Sequence, residues 1–325
     1  MTVLVTGAGG FIGSHLVSAL LQSGHTVRAL VRYNARASWG HLEELVHVSQ
    51  TGLDVRLGDV TDPAFVRDLV AGCDLVYHLA ALIGIPYSYH APASYVAVNA
   101  MGTLNVLEAC RREHVRRVIV TSTSEVYGTA QFTPITEEHP LQAQSPYSAS
   151  KIAADKLAES YFRSFDLPVV TLRPFNTYGP RQSARAIIPT ILAQALRGET
   201  HVQVGNLEPQ RDLTFVDDTA RAFVLAGTAP GIEGQVIHFG QGEAISIGDL
   251  ARRCLQLVGS RAHIVTTAER VRPEKSEVDL LLCDPTRARE KLSWSPRVSL
   301  DDGLRRSADY IRAHPEQYPS RGYVV

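Results

Sequence analysis

Cysteine is scarce in this chain of 325 residues. The four present, Cys73, Cys110, Cys254 and Cys283, are widely separated and form no CxxC pair and no Cys/His ligand pattern. That argues against a disulfide framework and a zinc site, and for buried free thiols. The twelve histidines are scattered as well, so no metal is expected. An excess of one charge is also missing: 32 basic against 33 acidic residues leave a formal net charge of −1. Such a surface has no field to hold nucleic acid or an anionic membrane, and an acidic ligand must be met by a few placed arginines. Lysine occurs at only four positions, which makes a lysine inside a motif informative. No apolar run approaches the roughly 20 residues that span a bilayer. The opening MTVLVTGAGG has no basic stretch before an apolar one, so it is not read as a signal peptide. A reducing cytoplasm is the expected location.

What is present is alternation. TVLVT at 2–6, TVRALV at 26–31, LDVRLG at 53–58, DLVYHLAA at 74–81 and VRRVIVTS at 115–122 read as strands. Helical patterns follow the first of them to Gly24 and run over about 93–112 and about 147–165. A further strand is read in LPVVTLRPF and a helix in AIIPTILAQALRG. Strand and helix in turn predict an α/β fold, a doubly wound parallel (Rossmann) sheet. After Gly179 the alternation breaks down. The expected division is a Rossmann domain over 1–178 and a smaller C-terminal α/β lobe over 179–325, interleaved with the first.

The first strand ends in TGAGGFIG, with Gly7, Gly10 and Gly13 at GxxGxxG spacing where a helix begins. A tight turn, close approach to a pyrophosphate and close helix–strand packing each demand glycine, and the helix N-terminus at Phe11 and Ile12 aims unpaired N–H groups at the phosphates. A dinucleotide site follows. NAD sites usually carry an acid about 20 residues on, for the ribose hydroxyl, but between Gly13 and Glu43 there is none. The second strand ends instead in Arg32, with Arg36 close behind. A guanidinium there suits a 2′-phosphate, so NADP is favoured with NAD open, the alternative for both arginines being a solvated surface.

Tyr147 and Lys151 form YSASK at the start of a predicted helix. Residues four apart share a helix face, so the ammonium can make the phenol a usable general acid or base. The motif follows TSTSEVYG at the carboxyl edge of the sheet, where open α/β sheets bind ligands.

Together, TGAGGFIG, HLAA, TSTSEVYG, YSASK and RPFNTYGPR resemble the extended short-chain dehydrogenase/reductases of nucleotide-sugar metabolism, over nearly the whole chain. The resemblance implies that Asp59 and Val60 contact adenine and that Leu79, Ala80 and Ala81 lie along the cofactor. It makes Tyr147 and Lys151 the hydride-step pair and has Thr123 bond a sugar hydroxyl. Glu125 narrows the choice: the sugar-nucleotide 4,6-dehydratases carry Glu here and plain 4-epimerases do not. Many glucose-type dehydratases have Asp before this Glu, where this chain has Ser124. In that respect it is similar to the GDP-mannose and legionaminic-pathway dehydratases, and AALIGIPYSY, GPRQSARAIIPTI and RPEKSEV resemble the legionaminic-type group most closely. Ser124 is a poor acid alone and would relay a proton with Glu125.

Asn176, Arg181, Arg211 and Arg272 stand where such enzymes grip a nucleotide diphosphate, with a surface salt bridge as the alternative for each arginine. Tyr87, Ser88 and Tyr89 either line the sugar pocket or form an ordinary loop. The expected partners are a nucleotide-diphosphate sugar and, by resemblance, a second copy of the chain through the helices at 93–112 and 147–165. Two rival activities are a UDP-glucuronate decarboxylase and a 4-epimerase, and a third reading is a non-catalytic dinucleotide sensor, against which both Tyr147 and Lys151 count.

Overall fold

A computed structural model describes residues 1–45, 52–271 and 273–320. Seven parallel strands form the central sheet, in the spatial order Val236–Phe239, Val169–Pro174, Arg117–Thr121, Leu75–His78, Thr2–Thr6, Thr26–Arg32 and Leu53–Gly58. The strand order reverses between Thr2–Thr6 and Leu75–His78, and the crevice outside their carboxyl ends is where such sheets take a ligand. Helices cover both faces, so the strands are near-continuous apolar runs such as Val3-Leu4-Val5 and Val118-Ile119-Val120, all fully buried.

On one face, Leu16, Val17 and Leu20 of the helix Phe11–Gln22 share a core with Ala222, Phe223 and Ala226 of the helix Val216–Thr228. On the other, Val66 and Leu69 of Pro63–Val70, Val106 and Leu107 of Gly102–Arg112, and Ala158 and Tyr161 of Pro146–Phe165 pack together. The helix ends are set locally. Asp62 caps Pro63–Val70 by accepting from the amides of Ala64 and Phe65, and Ser145 and Ser148 form a reciprocal capping box across the first turn that Pro146 opens.

The helix read over 93–112 contains a change of pitch. Short turns at Ile85–His90 and Pro92–Tyr95 lead into a π-helical segment, Val96–Met101, before Gly102–Arg112. Likewise the strand read over 74–81 ends at His78. The Leu79 amide is shared between the Thr6 carbonyl, at 3.3 Å, and Thr6 Oγ1, and the Ala80 amide donates to Thr6 Oγ1 alone, both hydroxyl contacts at 3.1 Å.

The C-terminal lobe has its own small sheet. Gln210–Phe215 pairs parallel with Asn176–Tyr178 and Leu280–Leu281 and antiparallel with Ala244–Ser246, while His201–Val204 pairs with His263–Thr266. Its core gathers Ile188, Ile191 and Leu192 of Ile187–Leu196, Leu250 and Cys254 of Ile247–Val258, and Leu304 and Ile311 of Leu300–Ala313. The chain crosses between lobes more than once, since Asn176–Tyr178 belongs to the small sheet and Val236–Phe239 to the large one. All four cysteines are free and buried, and among the described residues no metal-binding cluster and no helix long and apolar enough to cross a membrane occurs.

Candidate active site

One end of the crevice is built from backbone. Gly7 has φ +69°, and a Cβ on it would lie 2.8 Å from the amide nitrogen of Ala80; a Cβ on Gly13 would lie 2.2 Å from the carbonyl oxygen of Gly7. Only glycine lets strand, turn and helix close at those two points. Gly10 is exposed and precedes the helix with no side-chain cap, so the first-turn amides at Phe11 and Ile12 keep their donors for an outside acceptor. This cradle fits a dinucleotide pyrophosphate.

A closed hydrogen-bond chain backs the cradle. Thr6 Oγ1 accepts from Leu79 and Ala80, so its proton goes to His78 Nδ1 at 2.8 Å. His78 Nε2–H then donates to Thr103 Oγ1 at 3.0 Å, and Thr103 donates to the Asn99 carbonyl at 2.6 Å. The ring is thereby held neutral, and burial, with a smaller contribution from the charge on Lys151, brings its pKa down to about 3. Asn99 itself, in the π-helical segment, bonds Leu82 through both its oxygen and its nitrogen and reaches Ser150 Oγ at 2.9 Å. It ties the loop after Leu75–His78 to the helix that carries Tyr147.

Arg32 and Arg36 are both exposed at the end of Thr26–Arg32. Glu43, the first acid after Gly13, is engaged in its own turn, accepting from Ser38 Oγ at 2.8 Å and the Trp39 amide at 2.9 Å. Asp59 similarly accepts from the amide and hydroxyl of Thr61, with Val60 buried beside Gly102. Ala81 and Leu79 are half-buried along the crevice wall.

The other end is built from side chains. The turn Ser124–Tyr127 follows the strand Arg117–Thr121, with Thr123 as its cap: Thr123 Oγ1 accepts from the Glu125 amide at 3.3 Å. Tyr147 and Lys151 stand on the first turns of Pro146–Phe165, both buried. Burial pushes the Tyr147 phenol up, a hydrogen bond with Thr123 works against that, and the charge of Glu125 adds to it. The Tyr95 ring meets Tyr147 edge-on at 6.2 Å. Lys151 Nζ donates to the Thr121 carbonyl at 2.7 Å. Thr123, buried Ser124, Glu125, Tyr147 and Lys151 are thus brought together at one sheet edge.

The residues expected on the phosphate and sugar side are less uniformly assembled. Asn176 holds its Oδ1 buried with no protein partner, an acceptor left open to an N–H or O–H group of a ligand. Arg211 is buried, 3.3 Å from Glu277. Arg181 is drawn to the other lobe, pairing with Glu44 at 2.9 Å and donating to Ser14 Oγ at 3.3 Å, so the geometry supports its salt-bridge alternative. Arg272 lies outside the described residues. Tyr87, Ser88 and Tyr89 form a helical turn. Within it Ser88 is buried on the Ile85 carbonyl, while Tyr87 is exposed and Tyr89 bonds Ser276 Oγ across the cleft at 2.5 Å.

Sequence reasoning passed over Ser122, Asp155 and Arg173, a buried charged set behind the reacting groups. The available signal was Asp155, four residues beyond Lys151 and therefore on its face of the helix.

A doubly wound sheet, a glycine cradle at its switch point and a Tyr–Lys pair at its carboxyl edge define a short-chain dehydrogenase/reductase of the extended, two-lobed kind. Residues 4–307 match the GDP-mannose 4,6 dehydratase family, and the chain belongs to it. It is an enzyme of the nucleotide-sugar branch, in which different reactions share one frame. A UDP-glucose 4-epimerase of Mycolicibacterium smegmatis is 35% identical over 319 residues, covering 96% of this chain and 99% of that one. A dTDP-glucose 4,6-dehydratase of Streptomyces niveus is 35% identical over 321 residues, with 96% and 93% covered. The structure of DesIV, a dTDP-glucose 4,6-dehydratase from Streptomyces venezuelae solved with NAD bound, superposes with TM-score 0.87 at 29% identity over 98% of this chain and 99% of that one.

Proposed function

We propose that this enzyme is a nucleotide-sugar 4,6-dehydratase. The observation that carries the reading is Glu125, a carboxylate in the turn capped by Thr123 whose charge acts on the Tyr147 phenol. A nicotinamide dinucleotide along the glycine turn supplies hydride acceptance and return. The chain's own residues handle protons. Tyr147, with Lys151 beside it, accepts the proton of the sugar's carbon-4 hydroxyl as that carbon is oxidised, and Thr123 orients the hydroxyl. The new ketone acidifies the carbon-5 proton, which Glu125 removes while the carbon-6 hydroxyl leaves as water. Ser124 and Glu125 deliver the proton that the leaving hydroxyl needs. Of the two protons taken up by Tyr147 and Glu125, one leaves with the carbon-6 hydroxyl as water and the other goes to solvent, from which carbon 5 is protonated; with the dinucleotide bound, its return of hydride to carbon 6 would complete a 4-keto-6-deoxy sugar nucleotide. Asn176, Arg211 and Arg272 are the proposed diphosphate grip.

The 4-epimerase among the relatives makes epimerisation the competing activity, with glucuronate decarboxylation behind it. Neither removal of a carbon-5 proton nor loss of water belongs to either. The exposed arginines at 32 and 36, with no acid to serve a ribose hydroxyl, support NADP over the NAD that DesIV holds. Pairing of two copies through the helices Gly102–Arg112 and Pro146–Phe165 completes the proposal.

The test is incubation of the purified protein with UDP-, GDP-, CDP- and dTDP-sugars in turn, with NADP or NAD, read by mass spectrometry in heavy water. Loss of one water with deuterium entering carbon 5 is expected from one nucleotide, faster with NADP, and absent in Glu125→Gln. Loss of carbon dioxide, or a new isomer of unchanged mass, would replace this reading with decarboxylation or epimerisation. Sedimentation of the same preparation reads the dimer.

A further inference from the structure

Behind the reacting groups lies a buried set of charges that the chemistry above leaves unused. Arg173 sits on the strand Val169–Pro174, which has neighbours on both sides in the central sheet, and it is buried. Its Nη2 meets Asp155 Oδ2 at 2.7 Å, and its Nε donates to Ser122 Oγ at 3.2 Å. It also donates to the Tyr127 hydroxyl, and its guanidinium carbon lies 4.8 Å from the Tyr127 ring centre. Ser122 donates to the same Asp155 oxygen at 2.7 Å, and the Tyr127 hydroxyl pairs with His238 Nε2 at 2.6 Å.

An ion pair is a poor means of stabilising the middle of a sheet, since an apolar pair of similar volume serves as well or better. Two features of the geometry give this one another purpose. Ser122 and Tyr127 flank Thr123, Ser124 and Glu125, so one guanidinium grips that turn from both ends. Asp155 lies one helical turn beyond Lys151 on the same face, and its Oδ1 is buried with no partner.

We propose that Asp155 and Arg173 are a positioning pair: they clamp the turn that carries Thr123, Ser124 and Glu125, and Asp155 supplies the negative charge that keeps the Lys151 ammonium charged beside Tyr147. The inference rests on Tyr147 and Lys151 being the proton-handling pair. Burial pulls the Lys151 pKa down, Asp155 opposes that, and Arg173 reinforces it. The other titratable groups around Lys151 and Tyr147 are His78 from the neighbouring strand, Glu125 and Tyr127 from the turn, and Tyr95. His78 is held neutral. Asp155 is therefore the anion placed to serve Lys151 from its own helix.

Three variants test this: Asp155→Asn, Arg173→Met, and the paired Asp155→Leu/Arg173→Met. Two quantities are followed against pH: kcat with whichever sugar nucleotide turns over, and the Lys151 ε-carbon NMR shift. Four lysines make that signal assignable by Lys151→Met. In both single variants the plateau kcat falls roughly tenfold to hundredfold, as for a misplaced reacting group, with KM little changed. The Lys151 midpoint and the alkaline limb of kcat move in opposite directions, down by about one pH unit in Asp155→Asn and up in Arg173→Met. The paired variant melts like the wild type yet keeps the low kcat. If Asp155→Asn does not fold, the other two carry the test. Shifts in the same direction, no shift, or wild-type kcat in the paired variant would reduce the pair to a structural element. Full activity in Tyr147→Phe would overturn the Tyr–Lys reading instead, while the NMR titration still reports on Asp155 and Lys151.

Discussion

The two ends of the crevice solve different problems with different materials. The cofactor end is made of amides, carbonyls and missing side chains at Gly7, Gly10 and Gly13, backed by hydroxyls and a neutral imidazole. The reacting end is made of a phenol, an ammonium and a carboxylate, the first two of them buried. Backbone binds a phosphate with fixed dipoles and needs no proton inventory. Proton transfer needs groups whose charge can change, and burying them demands compensating charges such as Asp155 and Arg173. The difference predicts that damage at one end leaves the other intact.

The largest separation is expected from Tyr147→Phe. It removes one hydroxyl from a buried ring that keeps its contact with Tyr95, so kcat falls by roughly 10²–10⁴. Dinucleotide affinity, measured by calorimetry, stays within about twofold of the wild type. A parallel loss of affinity would mean that the two ends are one unit. Gly13→Ala is the converse. Its Cβ would press on the Gly7 carbonyl at 2.2 Å, and overpacking of about 1–3 kcal/mol weakens dinucleotide binding roughly tenfold to hundredfold. With saturating cofactor, kcat recovers; a kcat that stays low would show that the glycine turn also sets the reacting geometry.

The same contrast explains what could be read in advance. A backbone-built site advertises itself, because glycine at GxxGxxG spacing after a strand has few other uses, and the strands Thr2–Thr6 and Leu53–Gly58 stand where the β-branched run TVLVT and the alternating LDVRLG place them. The local pair Tyr147 and Lys151 is legible for a similar reason, since helix geometry converts a spacing of four into a shared face. Partners distant in sequence leave no such trace. Arg173 with Asp155, Arg181 with Glu44 and Tyr89 with Ser276 exist only once the sheet and the two lobes are assembled. The strand Val236–Phe239 was hidden because its register with Val169–Pro174 is set by the tertiary fold, beyond the point where regular alternation ends. The π-helical segment carries Asn99, and its bond with Leu82 joins residues 17 apart in a way that periodicity does not record.

The smallest effect falls at the back of the cofactor end, where a titratable group is present but held out of use. His78 has a pKa of about 3 against an ordinary 6.5. A pKa lowered in the fold means that the unfolded chain binds the proton more readily. The stability that neutral His78 contributes is therefore complete above about pH 6.5 and is lost as pH falls toward 3. Protonation would place a second N–H against Thr6 Oγ1, whose lone pairs already serve Leu79 and Ala80. His78→Gln breaks the chain at every pH and costs about 1–3 kcal/mol near neutrality, measured by urea unfolding. The gap between wild type and variant should narrow steadily below pH 6.5, because other acid-sensitive groups are common to both proteins and cancel in the difference. A gap that stayed constant to pH 4 would mean that the imidazole accepts its proton in place, and that the wall behind the glycine turn is softer than the closed chain of hydrogen bonds implies.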